Sequence, residues 1–203
     1  MKKITNFTIV FVLSCFCLHA QTDSLEMKET RAYFQIPEAP ETYNGTNVVA
    51  RMIDGLGYRY YWATEDLREA DLEFTPGNNG RKASEVLDHL HGLSTTILNA
   101  TLNKPNIRPT DQPKRSWDQL RKETLDNFMA ASQNMRLADG EDLQHLNIVF
   151  QRGERTSEFP MWNLLNGPLA DAISHVGQIV SYRRSAGNPV DPGVNVFMGV
   201  TKQ

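Results

Sequence analysis

Four stretches of this chain carry apolar residues at helical spacing, and this pattern constrains the fold more than any other feature. Side chains that recur every three or four residues lie on one face of an α-helix. Turn-rich or polar linkers separate the stretches, which cover residues 46–67, 84–102, 117–137 and 166–187. The sequence therefore predicts an all-α protein, a four-helix bundle.

Local signals mark the ends of these helices. Ser84 and Ser116 are predicted N-caps, because a hydroxyl oxygen accepts from a free backbone N–H in the first turn. Pro168 suits the first turn of the fourth helix. Arg183 and Arg184 lie in its last turn, where cations favour the negative end of the helix dipole.

Other features qualify the simple bundle. Gly55 and Gly57 weaken the first helix, since each glycine costs up to about 1 kcal/mol in a helix interior. The linkers after the second and third helices are long for hairpins, so we expect at least one crossover connection. Short extended segments are predicted near residues 145–151 and 194–200.

Residues 1–20 have the pattern of a secretory signal peptide. Lys2 and Lys3 precede the apolar run Phe7–Leu18, and Ala20 is a suitable residue for cleavage. A retained anchor is the alternative, although spanning a bilayer takes about 20 apolar residues. We expect a periplasmic or secreted protein with no transmembrane span after signal removal.

A lipoprotein signal is a second alternative, with Cys15 as the lipidated residue. Cys15 and Cys17 are the two cysteines of the chain, so cleavage after Ala20 would leave none. A mature exported domain without disulfides would depend on its core for stability.

The mature chain divides into an arm and one domain. Residues 21–43 include Pro37 and Pro40 and are predicted to be an extended arm or linker. Residues 44–203 are long enough for one well-buried helical domain. Without Lys2 and Lys3 the chain has 19 basic and 24 acidic side chains, a net charge of −5. That charge argues against nucleic acid as a partner.

The second helix contains two histidines, His89 and His91, which helical geometry separates. His89 lies at the edge of the apolar face, whereas His91 is predicted to face solvent. We interpret His145 as a surface residue.

Asp171 and His175 on the fourth helix are four residues apart, so their side chains share one face. Gln178 and Tyr182 continue that polar edge and are predicted to support or line a site. With His89 from the facing helix, Asp171 and His175 would form a two-histidine, one-carboxylate metal site. The alternative is a helix-stabilising ion pair on the fourth helix and a histidine bound to a backbone carbonyl on the second.

Both ligand helices resemble those of the DinB-like (DinB/YfiT-like) superfamily. The resemblance lies in residues 171–179 (DAISHVGQI), 182–184 (YRR) and 187–189 (GNP), and in residues 85–90 (EVLDHL). It implies a four-helix bundle that binds a divalent metal, commonly through three histidines. Asp171 stands at the position of the middle histidine, and carboxylate ligation suits zinc or nickel, and also manganese or iron.

The resemblance also implies a function. Characterised relatives include thiol-dependent transferases and isomerases, in which a metal activates a thiol or water. We therefore expect an exported metal-dependent hydrolase or thiol transferase that acts on a small molecule. Export favours water as the nucleophile, because small thiols stay reduced mainly in the cytoplasm. The alternative is a non-catalytic extracytoplasmic binding or interaction protein, and either could be a homodimer.

Overall fold

The computed structural model of the protein describes residues 32–107 and 114–202. The predicted signal peptide and the first part of the predicted arm lie outside these residues. The helices are α1 (Gly45–Thr64), α2 (Glu69–Leu72), α3 (Ala83–Thr101), α4 (Trp117–Leu137), α5 (Trp162–Leu164) and α6 (Ala170–Ser185). The strands are β1 (Pro105–Ile107), β2 (Asn147–Arg152), β3 (Arg155–Pro160), β4 (Val194–Asn195) and β5 (Val200–Thr201). Within the described ranges, no helix is both long and apolar enough to span a membrane.

The prediction of an all-α four-helix bundle is wrong, because the fold is mixed α/β. Strand β2 pairs in parallel with β1 and antiparallel with β3, and β4 pairs with β5. The two predicted extended segments contribute strands to these sheets. Strand β3 escaped sequence analysis because all six of its residues are exposed, so it lacks the alternation of a half-buried strand.

The four long helices pack around a common core. Helices α1 and α3 each pack against α4 and α6, which leaves α1 and α3 at diagonal corners. The connection from α1 to α3 and the connection from α4 to α6 therefore each run between diagonally opposite helices. The buried centre includes one large side chain or more from each long helix: Ile53, Leu56, Leu90, Ile97, Phe128, Met135 and Ile179.

Side chains near the helix starts satisfy free backbone groups. Ser116 accepts from the Gln119 N–H at 3.2 Å, as predicted, and the Gln119 side chain accepts from the Ser116 N–H. The predicted cap at Ser84 is wrong, since α3 begins at Ala83. The carboxylate of Glu85 instead accepts from the backbone N–H of Lys82 at 3.0 Å.

Helix α6 begins later than predicted because of a local distortion. Residues Leu165–Leu169 form a π-helical turn that contains Pro168, and Gly167 has non-helical φ and ψ angles. Proline cannot donate the hydrogen bond of a regular helix interior, which accounts for the distortion. The regular helix that contains Asp171 and His175 then runs from Ala170 to Ser185.

The described part of the predicted arm packs on the domain, which differs from the unpacked linker that its prolines predicted. Tyr33 is 2% exposed, and its hydroxyl donates to Asp54 at 3.3 Å. A Cβ at Gly57 would overlap the Tyr33 ring. The glycine that weakens α1 locally is therefore required for this contact.

Arg183 anchors the end of α6 to the end of α1, and Asn188 and Asp71 extend this contact. Arg183 is 4% exposed and donates to the carbonyl oxygens of Trp62, Ala63, Glu65 and Asn188. These bonds satisfy carbonyls that the end of a helix leaves free. We refer to Arg183, Asn188 and Asp71 as the latch.

Asn188 connects the two halves of the latch. Its side-chain amide donates to Asp71 at 2.7 Å, and Arg68 donates to the same carboxylate through two side-chain nitrogens. Hydrogen bonding to Arg68 holds the pKa of Asp71 well below its usual range.

Candidate metal centre

Helices α3 and α6 bring together His89, Asp171 and His175, which we call the triad. One ligand atom from each residue can be chosen so that all three lie within 4.8 Å of one another. Asp171 and His175 are one helical turn apart, and packing of α3 against α6 supplies His89. The structure therefore places close together the three residues that the sequence predicted as ligands, although they lie on two distant segments of the chain.

The Asp171 carboxylate lies between the two imidazoles. Its Oδ2 is 3.1 Å from His89 Nε2, and its Oδ1 is 3.3 Å from His175 Nε2. The two rings meet edge to face, with centroids 4.7 Å apart. All three side chains thus direct polar atoms at one small region.

Gln178 determines how the His175 ring presents its nitrogens. His175 Nδ1 is 2.9 Å from the side-chain oxygen of Gln178, which can only accept. This contact occupies Nδ1, so Nε2 is the ring nitrogen that faces Asp171 and is available as a ligand atom. Fixing one nitrogen of a ligand histidine in this way is typical of metal sites.

Asp171 Oδ1 and His175 Nε2 face each other across 3.3 Å, a geometry that suits either a proton on Nε2 or a metal ion bound by both atoms. The donor set of two nitrogens and one oxygen suits zinc and similar divalent transition metals.

The triad lies at the surface and is open on one side. The His175 side chain is 15% exposed, whereas His89 is 39% and Asp171 47% exposed. Three protein ligands with solvent access leave coordination positions for an exogenous molecule, which distinguishes catalytic from closed structural sites.

The solvent-facing position predicted for His91 is wrong. Its side chain is 13% exposed and lies between α3 and α4, with Nδ1 3.2 Å from Thr124 Oγ1 and Nε2 3.5 Å from Glu123. Burial lowers the pKa of His91. The buried surface of α3 is wider than its apolar stripe, because α3 packs against α4 as well as α6. Helical geometry alone did not predict the contact with α4.

The two supporting residues differ in their contacts. Gln178 is exposed and bonds to His175, as described above. The Tyr182 ring packs on Phe74, with centroids 5.5 Å apart. His145 is exposed, in agreement with its interpretation as a surface residue.

Sequence reasoning missed the role of Arg183, which it assigned only to the helix dipole. No local signal could have shown that its guanidinium reaches the end of α1, about 120 residues earlier. Comparisons with protein-family models, curated proteins and solved structures find no match for this chain. The geometry of the triad is therefore the principal guide to function.

Proposed function

We propose that the protein binds one divalent transition metal through His89, Asp171 and His175 and is a metal-dependent hydrolase or thiol transferase. The observation that carries the proposal is the convergence of His89, Asp171 and His175, with one ligand atom from each within 4.8 Å of the others and Gln178 holding the second ring nitrogen of His175. Zinc or nickel fits this donor set best, and manganese or iron would also be accepted.

The side chains of the site have separate tasks in this proposal. His175 and His89 supply nitrogen ligands, and Asp171 supplies charge that offsets part of the cation's own charge. Gln178 orients His175, as hydrogen-bonded partners of ligand histidines generally do. A divalent ion held by this set would lower the pKa of a bound water or thiol and so generate a nucleophile.

The exposure of the triad also supports a second candidate, a non-catalytic metal-dependent binding protein. Asp171 is 47% exposed, so the site opens directly to solvent rather than to a closed pocket. Exclusion of water strengthens electrostatic catalysis, and an open site has less of that advantage. The resemblance to the DinB-like superfamily is compatible with both candidates.

Metal content tests the site itself. Protein purified without a histidine tag is stripped with chelator, equilibrated with zinc, desalted and analysed for metal. We expect one ion per chain in the parent protein and none in His175→Ala. His145→Ala is the matched control and should retain one ion, because that exposed histidine is outside the triad. Equal metal content in the parent and His175→Ala would overturn the proposal.

Turnover separates the two candidates. The metal-loaded protein is assayed with ester, amide and thiol-transfer substrates, beside His175→Ala at equal concentration. Metal-dependent turnover that His175→Ala lacks identifies an enzyme and its class of reaction. Metal binding without turnover of any of the three classes favours the binding protein.

A further inference from the structure

A cleft of about 610 Å³ lies on the other side of α6 from the triad. Its α6 residues include Ile173, Val180 and Arg184, which follow helical spacing. By helix geometry this row is roughly 160° around α6 from the row of Asp171 and His175. The opposite wall comes from the end of α1 and from residues 190–196. The cleft is therefore separate from the metal centre.

The walls of the cleft are mainly apolar, and its size suits a small molecule. Ligand pockets typically have volumes of roughly 300–1,000 Å³ and apolar walls with a few polar groups. Nine of the lining residues are apolar, among them Trp62, Ile173 and five valines. A hydrocarbon chain would gain free energy by leaving water for these walls.

The apolar surface continues beyond the cleft. Val196 lines the cleft and is 49% exposed, and the next two residues, Phe197 and Met198, are 93% and 58% exposed. Neighbouring exposed apolar side chains of this size commonly mark a binding surface. Phe197 and Met198 follow the lining residue Val196 directly in the chain and are outside the residues that line the cleft.

Two arginines give the cleft a positive charge. Arg184 is exposed and has no hydrogen-bond or ion-pair partner within residues 32–107 and 114–202. Arg59 donates one bond, to the Gly55 carbonyl at 3.0 Å, which leaves most of its five donors free. The one acidic lining residue, Asp191, already accepts from the Gly193 N–H at 2.7 Å. This cationic excess contrasts with the net charge of −3 for the whole chain.

We propose that the cleft binds a single-chain amphipathic carboxylate, such as a medium-chain fatty acid. The hydrocarbon chain lies against the valines and Trp62, and the carboxylate pairs with Arg184 and Arg59. Guanidinium groups match carboxylates in shape and charge, and such charge-assisted bonds are stronger than neutral ones. Binding at this cleft does not require the metal centre.

Calorimetry with two matched probes tests the proposal. Decanoate and decanol have the same chain length and differ in the charge of the head group. We expect decanoate to bind one molecule per chain, with decanol at least about tenfold weaker because it cannot form the charge-assisted bonds. The titrations are run on chelator-treated protein and on His175→Ala, and affinity should be the same in both.

Two variants locate the binding site. Arg184→Gln should weaken decanoate about tenfold and leave decanol unchanged, since the substitution removes charge and keeps bulk. Gly177→Leu should block both probes, because Gly177 lines the cleft and a Cβ there meets open space. Gly92→Leu on α3 is the matched control: it is also an exposed helical glycine with open space around a Cβ.

Specific results would overturn the proposal. Equal affinity for decanoate and decanol would show a non-selective apolar groove. Absence of decanoate binding, including the case in which a second copy of the chain covers the cleft, would contradict it directly. Undiminished binding to Gly177→Leu would place the ligand elsewhere. Each result leaves the metal-content experiment unaffected, so the two proposals fail separately.

Discussion

Helix α6 carries two polar clusters that differ in how fully their groups are satisfied. In the latch, all three side-chain nitrogens of Arg183 donate to oxygens of Asn188 or of the end of α1. In the triad, the Asp171 carboxylate faces one nitrogen from each of two imidazoles, and all three side chains are partly exposed. The latch is satisfied by groups of the chain itself, whereas the triad leaves its ligand atoms accessible to solvent.

This difference distinguishes a structural cluster from a candidate metal site. A buried charge is tolerated when hydrogen bonds compensate for its lost hydration, and the latch meets that condition. The triad is partly exposed, so water can hydrate its polar groups. Leaving these groups without further partners therefore costs less free energy than it would in the latch. We therefore expect latch substitutions to change folding stability and triad substitutions to change metal binding.

The largest expected effect is on the latch. Arg183→Met should lower the free energy of unfolding by about 3 kcal/mol, because it leaves several buried carbonyl oxygens without donors. Urea denaturation measures the change. Arg184→Met is the matched control and should stay within about 0.5 kcal/mol, since Arg184 is exposed. Similar losses in both variants would mean that the latch has no special role.

Metal-linked stability comes next. A ligand that binds only the native state at one hundred times its dissociation constant stabilises it by about 2.7 kcal/mol. We expect zinc at that excess to give this increase in the parent protein and almost none in Asp171→Asn. Urea denaturation with and without zinc provides the measurement. If zinc stabilises Asp171→Asn as much as the parent, the carboxylate is not a ligand.

Gln178 offers a finer test, because it touches His175 without belonging to the triad. Gln178→Leu should weaken zinc affinity by about 10- to 100-fold, the usual effect of removing a hydrogen-bonded partner from a ligand histidine. Competition with a chromogenic chelator measures the affinity. The control is Gln178→Glu, which keeps an acceptor for Nδ1 and should retain zinc affinity near that of the parent. Unchanged affinity in Gln178→Leu would remove Gln178 from the site.

The smallest expected effect is a pH dependence in the latch. The pKa of Asp71 is lowered mainly by hydrogen bonding to Arg68, so its carboxylate stabilises the fold at pH values above its unfolded pKa of about 4. This stabilisation is lost as the pH falls through the lower folded pKa. Asp71→Asn should lose about 1 kcal/mol at pH 7, and the deficit should shrink toward pH 3. A deficit that is equal at both pH values would contradict this interpretation.

Local patterns predicted the elements better than the fold class. Each of the four helical stretches forms a helix, because apolar periodicity and caps such as Ser116 act within a few residues. The all-α assignment failed at β3, which has no buried face. Strand β3 forms because it pairs with β2, and the residues of β3 alone do not predict that pairing.

Sequence reasoning was likewise correct for one part of the candidate site and wrong for a neighbouring residue. The spacing of Asp171 and His175 predicted a shared edge, because a helical turn fixes which side chains are neighbours. The same reasoning misplaced His91, because α4 covers a side of α3 that the sequence of α3 does not identify.

The sequence alone determined the local facts: the approximate positions of the four long helices and the edge that Asp171 and His175 share. Only the tertiary structure decided that His89 meets Asp171, that Arg183 reaches the end of α1 and that β3 is a strand. The physical reason is the separation along the sequence over which each kind of interaction acts. Helical periodicity and capping act over three or four residues, whereas these contacts depend on packing between segments up to about 120 residues apart.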